Sequence, residues 1–310
     1  MKHVTYEDVT DAHRRISQYI HRTPVVTSSY VDGLFGGQAF FKCENFQKVG
    51  AFKVRGATNA VLSLSDAEAS LGVVTHSSGN HGQAVAYACN IRGIPATVVM
   101  PEQATAVKIA AVRGYGAEVV LVPRSERENA VAELQSSLGL TLIHPFDNPR
   151  VIAGQGTAAL ELVEDVEDID ILLAPIGGGG LLAGTTAVAA GHQISAVGTE
   201  PELVDDAFRS LRDGVRYGDT GELSVGDGLL TGIGVLPYEM LRKAGTEILL
   251  VSEEDILAAM RMFATRLKLV VEPSGATVLA ALVRHRAYFE GKRVGAIISG
   301  GNVDMAQLSS

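Results

Sequence analysis

The sequence predicts an α/β protein built on doubly wound, mostly parallel sheets. Three observations lead there. Short β-branched runs alternate with longer helix-patterned stretches, most runs are apolar on both faces, and glycine-containing segments stand where strands end. Strands are expected at 72–75, 96–100, 118–122, 140–144, 169–174, 194–198, 247–251 and 294–299. Helices are expected between them, at about 80–92, 103–114, 125–138, 180–191, 253–267 and 274–288. Gly93 and Gly116 follow two of these helices and read as stops. Ser252 ahead of Glu253, Glu254 and Asp255 reads as a cap with an acidic first turn. The stretch 205–235, rich in Asp, Gly and Arg, is the least regular and reads as a long functional loop.

A length of 310 residues suits two lobes or one large α/β domain, with ample core. The net charge of −9 and the absence of Trp argue against nucleic acid as a partner. No apolar run reaches the roughly 18 residues of a membrane span, so no membrane partner is expected. The start, Met1-Lys2-His3-Val4-Thr5-Tyr6-Glu7-Asp8, lacks an apolar signal core. Cys43 and Cys89 have neither metal-type nor redox-type spacing, and a reducing cytoplasm is the expected home.

Four segments carry chemistry. Gln47-Lys48-Val49-Gly50-Ala51-Phe52-Lys53-Val54-Arg55-Gly56-Ala57 sets a lysine among apolar neighbours at a helix start. A desolvated lysine has a lowered pKa and attacks carbonyl groups, although a lone lysine there also reads as a surface residue. Thr75-His76-Ser77-Ser78-Gly79-Asn80-His81-Gly82 runs from strand to helix, where free N–H groups can hold a carboxylate or Ser and Asn can cap. In Ala174-Pro175-Ile176-Gly177-Gly178-Gly179-Gly180-Leu181-Leu182 four glycines open a helix, and successive N–H groups there can converge on a phosphate. It is not a dinucleotide fingerprint, because Leu182 stands where the third glycine is required. Ala296-Ile297-Ile298-Ser299-Gly300-Gly301-Asn302 ends the last strand with a hydroxyl and two glycines. Separately, Glu200 and Asp206 flank Pro201-Glu202-Leu203-Val204-Asp205; carboxylates with a nearby carbonyl suit a hard cation, and solvated charge is the other reading.

Together these segments resemble the fold-type-II pyridoxal-phosphate enzymes, whose two-lobed architecture is tryptophan-synthase-β-like. They are most similar to the branch of serine/threonine dehydratases, serine racemases and threo-3-hydroxyaspartate dehydratases. The resemblance runs from His21-Arg22-Thr23-Pro24 to Ser299-Gly300-Gly301-Asn302. The family lysine segment usually reads Ser-Phe-Lys-x-Arg-Gly, and here Ala51 replaces the Ser.

The resemblance implies that Lys53 holds pyridoxal 5'-phosphate as a Schiff base and later takes the α-proton. It implies that Phe52 packs beside the ring and Asn80 bonds the ring hydroxyl. Gly177, Gly178, Gly179 and Gly180 would cradle the phosphate, and Ser299 would face the pyridine nitrogen. Ser77, Asn80 and His81 would hold the substrate carboxylate, with Ser78 on the face opposite Lys53. Glu200, Asp206 and the carbonyl of Val204 would bind Mg²⁺, or Ca²⁺ or Mn²⁺. A small lobe at 65–147 would be inserted into a large one made of 1–64 and 148–310, and the chain would form a homodimer. The activity implied is removal of water and ammonia from L-threonine, L-serine or a related 3-hydroxy amino acid, giving a 2-oxo acid. Serine racemisation and threo-3-hydroxyaspartate dehydration are the alternatives, and a non-catalytic binder on the same fold is a third. Phe146 leans towards an apolar substrate pocket, whereas Arg127-Glu128-Asn129 resembles the racemase lid.

Overall fold

A computed structural model describes residues 3–77 and 79–304. Its strands, in chain order, are β1 (Val25–Val26), β2 (Gln38–Cys43), β3 (Val73–His76), β4 (Ala96–Pro101), β5 (Glu118–Val122), β6 (Thr141–Leu142), β7 (Ile171–Pro175), β8 (Ser195–Pro201), β9 (Glu247–Val251) and β10 (Arg293–Ile298). They form two sheets. One has the order β1-β2-β10-β7-β8-β9 and the other β5-β4-β3-β6. All pairings are parallel except β1 with β2. A two-residue antiparallel strand closes one edge of the larger sheet, a common way to end a parallel sheet. The neighbours β2, β10 and β7 are far apart in sequence, so strand order reverses within this sheet, and such reversals leave a crevice at the carboxyl ends of the strands.

Those carboxyl ends position the site. β7 runs out at Pro175 into the glycine run, β10 ends at Ile298 just before Ser299, and β3 ends at His76 just before Ser77. The helix Pro149–Asp165 is buried along one whole stretch and lies against the helices Lys53–Leu62 and Gly180–His192. Close backbone approach explains a glycine there: a Cβ on Gly154 would sit 2.6 Å from the Arg55 carbonyl oxygen and from the Gly56 Cα. This packing ties the lysine-bearing helix to the helix that begins at the glycine run.

Several sequence expectations need correction. The run 140–144 gives only Thr141–Leu142 as strand, because the His144 ring turns the chain: its Nδ1 accepts the N–H groups of Phe146 and Asp147. The stretch 205–235 contains a regular helix, Asp206–Asp213, before the irregular part begins. The helix over 253–267 is α only to Met262, and Phe263–Leu267 is a π-turn closed by Lys268 in the left-handed region at φ 62°. Ser252 does cap it, in a full capping box with Asp255. Gly93 is a left-handed C-cap at φ 73°.

Candidate active site

The segment before Lys53 is stitched to the end of β10. Phe52 N–H donates to the Ser299 carbonyl at 2.9 Å, Gly301 N–H donates to the Gly50 carbonyl at 2.9 Å, and Ala51 bridges to Gly300. Lys53 therefore starts its helix beside Ser299. Its amine donates to the Pro145 carbonyl at 3.1 Å. Burial brings the amine down to about 8, against a smaller upward pull from the Glu272 carboxylate. A lysine lowered this far has an appreciable neutral fraction near physiological pH, which an attack on an aldehyde requires.

The next residue along from Pro145, Phe146, packs on the glycine run: a Cβ on Gly178 would lie 2.2 Å from its ring. Gly179 holds φ 87° as the N-cap of the helix Gly180–His192. The first N–H groups of a helix have no intrahelical partner, so this turn presents donors and the positive end of a helix dipole to one point. Lys53 and the glycine run line the same cleft, about 330 Å³ in volume.

Asn80, Ser77 and His81 line the same cleft. No side chain caps the helix Asn80–Arg92. The Ser77 hydroxyl instead accepts the Gly79 N–H at 3.1 Å, bending the strand into the helix. The His81 ring is buried, with Nε2 3.1 Å from the Ile143 carbonyl and Nδ1 without a partner among the described residues. A proton on Nε2 leaves Nδ1 with only a lone pair, so what His81 can offer an anion is its backbone N–H. Ser78 lies outside the described residues.

Three imidazoles that line the cleft are neutral at ordinary pH. Burial holds His81 well below its usual value, lowers His76, and takes His144 to about 4. They add hydrogen-bonding capacity without charge.

Ser299 Oγ is buried and has no hydrogen-bond partner among the described residues. An orphaned hydroxyl at a strand end, facing a cleft with a desolvated lysine and a phosphate-sized N–H cradle, fits pyridoxal 5'-phosphate, whose ring nitrogen can supply the missing partner. Sequence reasoning misses Glu272. Its carboxyl is buried in the cleft wall and accepts from Asn80 Nδ2 at 3.2 and 3.1 Å; burial raises it to about 7. Its one local signal is an acidic residue wedged between Val271 and Pro273. Lys108 also lines the cleft and pairs with Asp227 at 3.4 Å.

The candidate cation residues lie elsewhere in the large sheet. Glu200 is near the end of β8 and Asp206 begins the helix Asp206–Asp213; both are buried. Glu200 accepts the N–H groups of Ala207 and Phe208 at 3.0 and 2.8 Å, and Asp206 accepts that of Ile233 at 2.9 Å. Burial, then repulsion from Asp206, raises Glu200 well above the usual range, and burial raises Asp206 to about 6. Among the described residues no group of three or more His, Cys, Asp or Glu side chains is arranged to hold a metal ion.

A desolvated lysine, a glycine cradle at a strand end and an orphaned serine hydroxyl, on two sheets that share a crevice, define a fold-type-II pyridoxal-phosphate enzyme. The chain belongs to the family described as pyridoxal-phosphate dependent enzyme, whose pattern matches residues 16–300. It is 47% identical over 308 residues to a beta-hydroxyaspartate dehydratase of Paracoccus denitrificans, covering 98% of each chain. It is 46% identical to the serine racemase of Dictyostelium discoideum, covering 100% of this chain and 98% of that one. The crystal structure of that racemase superposes with a TM-score of 0.93, covering 97% of this chain and 99% of the other. The crystal structure of a T.th. threonine deaminase is 44% identical, with a TM-score of 0.90 over 97% of this chain and 99% of that one.

Proposed function

We propose that the protein is a dehydratase that converts a small 3-hydroxy amino acid, in the class of L-threonine and L-serine, to a 2-oxo acid and ammonia. The observation that carries this reading is the Lys53 amine, lowered to about 8 by burial and sharing one cleft with the Gly177–180 cradle. Pyridoxal 5'-phosphate supplies an electron sink for the α-carbon when bound. The chain supplies the rest. Backbone N–H groups at the start of the helix Asn80–Arg92, with Ser77, hold the substrate carboxylate. Lys53 Nζ takes the α-proton. The β-carbon–oxygen bond breaks, the hydroxyl leaves with a proton as water, and the enamine released is hydrolysed to the 2-oxo acid and ammonia. Phe146 roofs the cleft over Gly178 and keeps it small and apolar on that side. Closure of a lobe at 65–147 on one made of 1–64 and 148–310 excludes water from the cleft.

A second reading has support of its own. Two cationic side chains, Lys108 and Arg127, line the cleft and suit the second carboxylate of threo-3-hydroxyaspartate. Racemisation of serine requires a proton from the other face, where Ser78 is the candidate donor. The test is product analysis with L-serine, L-threonine and both threo-3-hydroxyaspartate enantiomers, scoring 2-oxo acid and chirality together. A 2-oxo acid with matching ammonia from at least one substrate is expected. Inversion with no 2-oxo acid would make the enzyme a racemase, and no turnover of any of them would refute the reading.

We further propose that Glu200, Asp206 and the Val204 carbonyl bind Mg²⁺, or Ca²⁺ or Mn²⁺ in its place. Two buried carboxylates, with burial and then the charge of Asp206 raising Glu200, are an excess of negative charge that a hard cation would balance. The cation braces the turn between β8 and the helix Asp206–Asp213, away from the cleft. The working form proposed is a cytoplasmic homodimer. Two buried free cysteines suit a reducing compartment, and no helix among the described residues is long and apolar enough to cross a membrane.

A further inference from the structure

Among the acidic residues that line the cleft is one, Glu272, to which neither the motifs nor the family match assigns a task. Glu272 stands at the N-cap of the helix Pro273–Arg284, but its carboxylate makes no cap hydrogen bond. It turns instead to the cleft wall and takes Asn80 Nδ2 on both oxygens. The backbone pins it there: Glu272 N–H donates to the Gly300 carbonyl at 3.0 Å. Gly300 in turn leaves it room, since a Cβ at that position would sit 2.6 Å from Glu272 Oε1. The other end of the Asn80 amide is held as firmly. Asn302 Nδ2 donates to Asn80 Oδ1 at 2.9 Å and to the Val49 carbonyl at 2.8 Å.

This arrangement fixes which way the Asn80 amide faces. Turned over, it would set Oδ1 against a carboxylate and Nδ2 against the Asn302 donor, two repulsive contacts in place of two hydrogen bonds. One Nδ2 hydrogen directed between the two Glu272 oxygens serves both, which leaves the second available to a group in the cleft that Asn80 lines. We propose that Glu272 is a positioning residue for the cofactor: its carboxylate locks the Asn80 amide so that an N–H, and never the oxygen, faces the ring hydroxyl. The charged groups that face Glu272 are Asp227, Lys108 and Lys53, so its ionisation is also felt by the amine that carries the cofactor. The inference rests on the assignment of Asn80 to the ring hydroxyl and is independent of which hydroxyamino acid is the substrate.

The test is a double-mutant cycle on cofactor affinity, read by titrating the resolved apoenzyme with pyridoxal 5'-phosphate in mildly alkaline buffer, where the carboxylate is ionised. Loss of one charge-assisted hydrogen bond is expected to weaken binding by about tenfold in Glu272→Ala, with a similar loss in Asn80→Ala. Because Glu272 acts through Asn80, the double variant is expected to be no weaker than Asn80→Ala alone. A merely structural Glu272 would lower the melting temperature and give additive losses. Glu272→Gln keeps one acceptor and is expected to stay within about threefold of the wild type. Glu272→Met, which keeps the volume and removes both acceptors, replaces the alanine variant if that one does not fold. Wild-type affinity in the alanine or methionine variant, or additive losses in the cycle, overturns the proposal. A wild-type apoenzyme that binds no cofactor would instead overturn the assignment of the cleft.

Discussion

Replacing Arg55 by alanine should unfold the protein far more readily than replacing any exposed arginine. Arg55 lies two residues after Lys53 and is fully buried between two carboxylates. Its Nε and one terminal nitrogen donate to Glu44 at 2.7 and 2.8 Å, and its two terminal nitrogens donate to Glu161 at 2.8 Å each. Thr157 and the His21 carbonyl take further donors at 3.2 and 3.4 Å. Burial alone would lower the guanidinium pKa, but the two carboxylates overcome it and leave it raised. Lys42, also fully buried, reaches Glu161 at 2.8 Å, so Glu161 keeps one cation in the variant while Glu44 loses its guanidinium. Removing one partner of a buried ion pair costs about 3–5 kcal/mol, because the remaining charge is left desolvated. At roughly 2–4 °C per kcal/mol for a large domain, that corresponds to a melting point about 6 °C lower or more. The assay is urea denaturation of the holoenzyme alongside the exposed Arg14→Ala as a control. The pH dependence adds a sign. Burial pushes the Glu161 carboxyl up, but Arg55, with a further contribution from Lys42, holds it below its usual value. That stability is present above the ordinary carboxylate range and is lost as pH falls through the lowered value, so the gap between wild type and variant should narrow in acid. A variant within about 1 kcal/mol of wild type at neutral pH would refute the view that this pair of carboxylates clamps the lysine helix.

Other outcomes follow from the cleft. Burial lowers Lys53 to about 8, so the rate at which the apoenzyme captures pyridoxal 5'-phosphate should climb with pH through about 8 and level off above it; a rate that keeps climbing past about 10 would mean an ordinary solvated lysine. Gly177→Ala should weaken cofactor binding by more than about tenfold, since its Cβ would lie 2.9 Å from the Leu229 Cα and backbone must move to admit it. Cofactor titration reads this, and wild-type affinity would remove the glycine run from the phosphate site. Exhaustive chelation should lower the melting temperature or the activity, and Asp206→Asn should abolish that sensitivity; unchanged melting and activity after chelation would reject the cation at Glu200 and Asp206.

What can be read in the sequence depends on how local its cause is. The strand over 96–100 is visible because both of its faces are buried, whereas 118–122 and 247–251 lie at sheet edges and are only partly buried, so there the run of apolar residues alone is the signal. β2 escapes because Lys42 interrupts its apolar pattern, and only the fold shows that this amine is buried against Glu161, far along the chain. The lysine, the glycine run and the serine after the last strand are each legible as short segments. Their meeting in one cleft depends on the pairing of β2 with β10 and on the stitching of residues 50–52 to 299–301. Glu272 leaves almost no trace, since its partner Asn80 is 192 residues away and its rise to about 7 comes from burial. His81 can be placed by its motif, but the commitment of its ring to the Ile143 carbonyl cannot.

The central claim is that one amine, at Lys53, carries the cofactor. Borohydride reduction of holoenzyme prepared with added pyridoxal 5'-phosphate, followed by peptide mass mapping, tests it directly. A phosphopyridoxyl group on the peptide containing Lys53, absent in Lys53→Ala, is the expected result. The same label on a different lysine, or none on any peptide, would contradict the account.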